Sequence, residues 1–265
     1  MSYFVAPNAT LYYDLFPANI TANSTQASAQ TVLLLHGFAG TPTSDFAAQI
    51  PPLLEQYNVL APHLHGYGLS SHRTHYSLSY YREDVADMVA LLDFLGLAAV
   101  HIVAFSDGSI VALLLAALHP QRVAALAVLG AQATVDQQDA RAIRRWLLEK
   151  PLSETWQREL TQLHGDPYWR SLLPLFVQAQ EDLVQAGGVL LTEGELAAIT
   201  CPTLLMHGVQ DRVVRVAYAT SLHEHIPHSH LLLFDAGHAA HLRHEQIFTE
   251  TVLRFFANPL RFVVQ

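Results

Sequence analysis

Three residues far apart in the chain, Ser106, Asp211 and His238, have the types that nucleophilic acyl transfer needs. A serine hydroxyl is a weak nucleophile until a base takes its proton, and the base needs an acid to hold its tautomer. Ser106 lies in Ala104-Phe105-Ser106-Asp107-Gly108, between an apolar run that reads as a strand and one that reads as a helix. A nucleophile at such a junction needs a sharp turn, with small residues two places before and after it so the backbone can close. Ala104 and Gly108 satisfy this around Ser106. The competing register, with Asp107 as nucleophile, puts bulky Phe105 at the first crowded position. Small-x-Ser-x-Gly is degenerate by itself, and its weight comes from its surroundings.

Asp211, in Gly208–Val214, follows the run Thr203 to His207, and His238 follows the run Leu231 to Phe234. In this arrangement His238 takes the Ser106 proton and returns it to the leaving group, while Asp211 stabilises the imidazolium. Each alone has an ordinary explanation: Asp211 as a surface turn acid, His238 as one loop histidine among 16. Together, at the ends of consecutive strands, they are hard to assign to chance. Asp235 is a poor rival acid because the strand and turn aim it elsewhere. Asp136, past the strand Ala124 to Leu129, is a better one. An oxyanion needs two backbone donors. The amide of Asp107 offers one, and that of Phe38, in His36-Gly37-Phe38-Ala39-Gly40, the other.

The elements that must position these residues read as an alternation of short β-branched runs and longer helical patterns, the signature of a parallel α/β sheet. Strands are expected over Tyr3–Ala6, Leu11–Phe16, Thr31–Leu35, Asn58–Pro62, Ala99–Ala104, Ala124–Leu129, Thr203–His207 and Leu231–Phe234. Helices are expected over Phe46–Gln56, Leu78–Leu95, Ser109–Leu118, Val216–Ile226 and Glu245–Ala257, and Thr21–Gln30 reads as a turn or loop. Asp136 to Glu195 breaks the alternation: it is helical in composition, rich in aromatics, and holds Lys150, the only lysine. An insertion after a strand end sits over the site end of an open sheet, so it reads as a helical cap. The division is therefore core 1–135, cap 136–195 and core 196–265. Within the site, Phe38, Trp146 and Trp169 are expected substrate contacts.

A chain of 265 residues with 51% hydrophobic and 14% charged residues can bury a large core. Its net charge of -9 and lack of a basic run argue against a nucleic-acid partner. Cys201 is the only cysteine, so no intramolecular disulfide forms, and it reads as a small buried residue. Met1 to Pro7 has no basic n-region or apolar h-region, and no window of about 18 uninterrupted apolar residues occurs. No membrane partner and a cytoplasmic location are therefore expected, with the sequons at Asn8, Asn19 and Asn23 accidental.

Leu35-His36-Gly37-Phe38, His65-Gly66-Tyr67-Gly68-Leu69-Ser70, the Ser106 turn, Gly208–Val214 and Gly237-His238 together resemble the α/β-hydrolase superfamily. The resemblance implies a mostly parallel eight-stranded sheet flanked by helices, and a triad in the chain order Ser, Asp, His. Phe105-Ser106-Asp107-Gly108 is similar to the valacyclovir-hydrolase-like branch, whose acid after the nucleophile faces the substrate amino group. That implies a role for the Asp107 side chain in binding α-amino esters; a helix N-terminal acid favoured by the dipole is the alternative. Two positions depart from the family pattern: His63 stands where Asp is usual, and Ala104 where Gly is usual.

The expected activity is hydrolysis of a small ester, amide or lactone through an acyl-serine. Haloperoxidase-like or C–C bond hydrolysis, or receptor-like ligand binding, are the alternatives. No cofactor or metal is called for. His223, His225, His228 and His230 run across a helix end, Pro227 and a strand start, so they cannot share one face. His63, His65, His72 and His75 read as lining a loop near the site entrance. Gly66-Tyr67-Gly68 lacks the third glycine of a dinucleotide fingerprint. The expected partner is a small-molecule substrate, with the chain a monomer or homodimer.

Overall fold

The computed structural model describes residues 2–19 and 29–264, so most of the Thr21–Gln30 reading, and Asn23, lie outside the described residues. Eight strands form one sheet: β1 (Ser2–Val5), β2 (Thr10–Phe16), β3 (Thr31–Leu35), β4 (Asn58–Pro62), β5 (Val100–Phe105), β6 (Val123–Leu129), β7 (Thr203–Gly208) and β8 (Ser229–Phe234). Their spatial order is β1-β2-β4-β3-β5-β6-β7-β8. The pairings β1–β2 and β2–β4 at one edge are antiparallel, and β3 through β8 all run parallel. This is the α/β-hydrolase fold.

The helices are α1 (Pro42–Asp45), α2 (Ile50–Leu54), α3 (Tyr80–Phe94), α4 (Asp107–Leu118), α5 (Gln137–Arg144), α6 (Glu154–His164), α7 (Tyr168–Gln185), α8 (Glu193–Ala197), α9 (Val216–His225), α10 (Ala240–Arg243) and α11 (Glu245–Ala257). The helix expected over Phe46–Gln56 is instead only the short α2, with α1 lying wholly before that range. Pro51 and Pro52 have no amide hydrogen to donate back to residues 47 and 48, so they are accommodated only in the first turn of a new helix.

Strand side chains alternate between the two faces of the sheet. Leu33, Leu35, Ile102, Ala104, Leu126, Val128 and Leu205 bury against α3 and α4. Val32, Leu34, Val103, Ala127, Leu129 and Met206 bury against Phe248, Val252, Phe255 and Phe256 of α11. Covered on both faces, the central strands must be apolar throughout, as the five buried residues of β3 are. The register Leu35↔Ala104, Phe105↔Leu129 and Gly208↔Phe234 brings the carboxyl ends of these strands to one edge of the sheet. The loops that carry Phe38, Ser106, Asp211 and His238 all leave from that edge.

Between β6 and α8 the chain forms α5, a π-helical turn (Arg145–Glu149), α6 and α7. It leaves and returns side by side, Val135 N donating to Gly188 O at 2.8 Å and Leu190 N to Ala133 O at 2.9 Å. These helices have their own small core of Leu147, Leu160, Trp169, Leu173, Phe176 and Val177, closed onto Ala39. α8 already belongs to the sheet's flank, packed on α4 and α9.

Candidate active site

The turn from β5 to α4 holds Ser106 at φ 53° and ψ −122°, a conformation costly for a residue with a side chain. What holds it there is tight packing below. Ser106 N donates to Leu129 O at 2.9 Å and Ser109 Oγ to the same carbonyl at 3.0 Å. A Cβ on Gly108 would stand 2.3 Å from the Leu35 carbonyl oxygen, so only glycine lets α4 close onto β3. The strain lifts the Ser106 hydroxyl out over the strand ends.

His238 Nε2 lies 2.9 Å from Ser106 Oγ, and its Nδ1 lies 2.7 Å from Asp211 Oδ2. The Asp211 side chain is fully buried, and its other oxygen accepts from the amides of Val213 at 2.8 Å and Val214 at 2.9 Å. Burial pushes this carboxyl up, but hydrogen bonds from His207, His238 and the Val214 amide outweigh it and hold the group well below the ordinary carboxylate range. His207, fully buried on β7, is a member of the site that sequence reasoning missed. Asp136 is no rival. It is half exposed, caps α5 by accepting from the Gln138 and Asp139 amides, and pairs with Arg215. Asp235 accepts from Gln210 instead.

Above Ser106, the amide of Phe38 has no acceptor among the described residues, and that of Asp107 opens α4, where no carbonyl lies one turn back to accept it. The loop holding Phe38 is set from three sides. Ala39 turns it with φ 59°, and Gly37 N donates to Asp45 Oδ2 at 2.8 Å. Burial raises the Asp45 carboxyl to about 6, against the pull of the Gly37 amide. Behind the loop, His36 Nε2 accepts from Leu64 N at 3.0 Å, and burial lowers its pKa to about 3, so it stays neutral. From the cap, His164 Nε2 donates to Ala39 O at 2.9 Å while its Nδ1 accepts from Gly68 N at 2.9 Å.

The cavity over Ser106 is lined by Phe38, Asp107, Gln132, Trp146, Phe176 and Gln180, among others. Phe38 stacks on Phe176 with ring centroids 3.8 Å apart. Asp107 faces this cavity, its Oδ1 accepting from the Tyr81 hydroxyl at 2.9 Å, and burial raises its carboxyl to about 7. Trp169, expected at the substrate, does not line the cavity. It is 3% exposed in the cap's own core, with Nε1 donating to Thr161 Oγ1. Its helix turns that face inward to fill the cap, whereas Trp146 faces the cavity and stacks on Trp156.

His63, read as lining the entrance, is buried. Its Nδ1 accepts from Leu69 N at 2.9 Å and fills the space that a side chain on Gly68 would need. His65, Asp84 and Asp87 have donor atoms within 4.8 Å of one another, the one such group among the described residues that could gather a cation. There, however, the Arg73 guanidinium already bonds Asp84, and Asn8 donates twice to Asp87 Oδ1. His223 and His225 turn to separate partners, the Ser229 hydroxyl and the Ser221 carbonyl.

A strained serine elbow, a buried Asp–His relay and two free amides on an open α/β sheet define a serine hydrolase. Residues 30–245 match the family profile described as alpha/beta hydrolase fold, and the chain belongs to that family. It is 30% identical to mouse serine hydrolase BPHL over 227 residues, which cover 84% of this chain and 78% of that protein. It is 26% identical to 3-oxoadipate enol-lactonase 2 of Acinetobacter baylyi, over 83% of this chain and 86% of the other. The meta-cleavage product hydrolase of Pseudomonas fluorescens superposes with a TM-score of 0.77 at 22% identity, covering 98% of both chains. No helix among the described residues is long and apolar enough to cross a membrane.

Proposed function

We propose that the chain hydrolyses small carboxylic esters through an acyl-Ser106 intermediate, and that the preferred acyl group carries an α-ammonium. The observation that carries the first part is the unbroken relay from Asp211 through His238 to Ser106, with its spacings of 2.7 and 2.9 Å. His238 Nε2 takes the Oγ proton as Oγ attacks the acyl carbon, and the carbonyl π pair moves onto oxygen. The amides of Phe38 and Asp107 receive that oxyanion. Its collapse breaks the bond to the leaving oxygen, which takes the proton from His238. Water, deprotonated by the same imidazole, then attacks the acyl carbon and releases Ser106 with the free acid.

The α-ammonium preference is supported by Asp107, whose carboxylate faces the cavity from the residue whose amide would hold the oxyanion. The two groups are fixed on one residue, and Tyr81 orients the carboxylate. An ammonium on the carbon next to the reacting carbonyl is within reach of that carboxylate when the carbonyl oxygen meets the amide.

The test is a panel of esters with matched leaving groups and α-amino, N-acetylamino or unsubstituted acyl groups, run on wild type, Ser106→Ala and Asp107→Ala. Wild type is expected to show an acylation burst that Ser106→Ala lacks, and Asp107→Ala to lose the α-amino preference by about tenfold or more while still cleaving unsubstituted esters. Equal, slow hydrolysis by wild type and Ser106→Ala would make the chain a ligand-binding member of the fold. Turnover of carbon-linked substrates but no ester would select C–C hydrolysis.

A further inference from the structure

On a chain with net charge -9, three cations gather around one cavity beside the active site: Arg145, Lys150 and Arg212. Lys150 is the only lysine in the sequence. The cavity, ≈ 380 Å³, shares Ile143, Trp146 and Val213 with the one over Ser106, and none of its lining residues is acidic. None of the three cations has a carboxylate partner among the described residues. The basic residues around them do: Arg144 is bidentate on Glu181, and Arg215 holds both Asp136 and Asp139. Glu181, Asp136 and Asp139 are therefore held by other arginines, and Glu149, on the same turn as Arg145, does not line the cavity, which is left facing the three cations.

The backbone explains why two of these cations meet. Arg145 opens the π-helical turn and Lys150 follows it, Lys150 N donating to Arg145 O at 3.1 Å. A bond from i+5 back to i stacks residues that an α-helix would rotate apart. Arg212 arrives from the other side, on the loop directly after Asp211.

The cavity's position assigns it to one end of the substrate. The leaving group must sit against His238, which protonates it. Val213, whose amide bonds Asp211, forms the floor shared by the two cavities on that flank. We infer that this cavity is a leaving-group subsite for an anion, a carboxylate or a phosphate. The substrate class is then a zwitterion, with its ammonium at Asp107 and its anion between Arg145, Lys150 and Arg212. The zwitterion rests on the aminoacyl-ester reading above; the anion subsite stands on its own geometry.

The experiment compares the alanyl ester of glycolate with that of glycolamide, nearly isosteric leaving groups that differ in charge, at pH 7. Wild type is expected to favour the glycolate ester by about tenfold in kcat/KM, the sum of several exposed charge pairs of modest individual strength. That ratio should fall toward one in Arg145→Gln/Lys150→Gln/Arg212→Gln. It should also fall in wild type at about 1 M salt, where the screening length drops to about 3 Å. A wild-type ratio near one, or a ratio the triple variant retains, overturns the subsite. If neither ester is cleaved while a fluorophosphonate still labels Ser106, the aminoacyl-ester reading has failed, and protection of that labelling decides the subsite separately. Benzoate should then protect better than benzamide in wild type but not in the triple variant; equal protection overturns the proposal.

Discussion

His207 Nε2 stands 3.3 Å from Asp211 Oδ2, the same oxygen that holds His238 Nδ1. The ring shares this proton with the Val214 carbonyl at 2.9 Å, so it ties Asp211 to the loop whose amides bind the other carboxylate oxygen. His207 makes no contact with Ser106; it acts through Asp211 and is a positioning residue.

His207→Phe should therefore cost kcat more than it costs binding. A hydrogen bond to a charged group contributes about 1.5–3 kcal/mol, so kcat is expected to fall roughly ten- to a hundredfold with KM little changed. His207→Asn, which restores a donor, should recover part of the loss. Steady-state kinetics beside thermal melts decide it: a lower Tm with unchanged kcat would reduce His207 to a packing residue.

Ser106→Ala and His238→Ala should each lower turnover by about 10³-fold or more, and the double variant should be no worse than either single. Asp211→Asn should be nearly as severe, because it removes the acceptor that sets the His238 tautomer. Asp136→Asn should leave turnover near normal, since that side chain caps α5 instead. Single-turnover rates with a nitrophenyl ester measure all five variants, and a severe Asp136→Asn defect would reopen the identity of the acid.

The strands and the relay were legible because their causes are local. Buried parallel strands read as short apolar runs, and Ala104 and Gly108 mark a turn too tight for larger residues. His207 was not legible, because its role depends on a strand end curling back over Asp211 within four residues, and nothing in its type says so. Trp169 was misread for a related reason. A cap aromatic can face the substrate or the cap's own core, and the choice is made by packing of α6 against α7. Pro51 and Pro52, by contrast, were visible in the sequence, and their missing donors could have ruled out the continuous helix.

Arg73 and Asp84 form an ion pair that is almost wholly buried, linking the loop after β4 to α3. Burial raises the Asp84 carboxyl to about 7 even with Arg73 beside it. Removing one partner strands the other charge, so Arg73→Met should cost about 3–5 kcal/mol in urea unfolding, and Arg73→Met/Asp84→Leu should recover most of that. A double variant as unstable as the single would mean that Arg73 contributes chiefly through its contact with the His65 carbonyl and its place over the Tyr76 and Tyr80 rings.

Asp107 couples stability and selectivity in opposite senses. Its carboxyl is raised to about 7 by burial, against about 3.9 for an ordinary aspartate. Below pH ~4 both the folded and unfolded chains carry it protonated, and it costs nothing. As pH rises toward 7 the unfolded chain ionises first, so the folded state loses stability across that window. Asp107→Asn should therefore be no more stable than wild type at pH 4, progressively more stable through pH 7, and level above it. Selectivity runs the other way, because only the ionised carboxylate attracts a cationic acyl group. The probe is the methyl ester of trimethylglycine, whose charge is fixed, against that of 3,3-dimethylbutanoate, its neutral isostere. Their kcat/KM ratio cancels every pH effect common to the two esters, and it should rise through pH 7 in wild type and stay flat in Asp107→Asn. Tyr81→Phe removes a donor to the carboxylate and should move the midpoint upward. A ratio independent of pH in wild type would leave Asp107 as a helix-terminal acid with no part in recognising the acyl group.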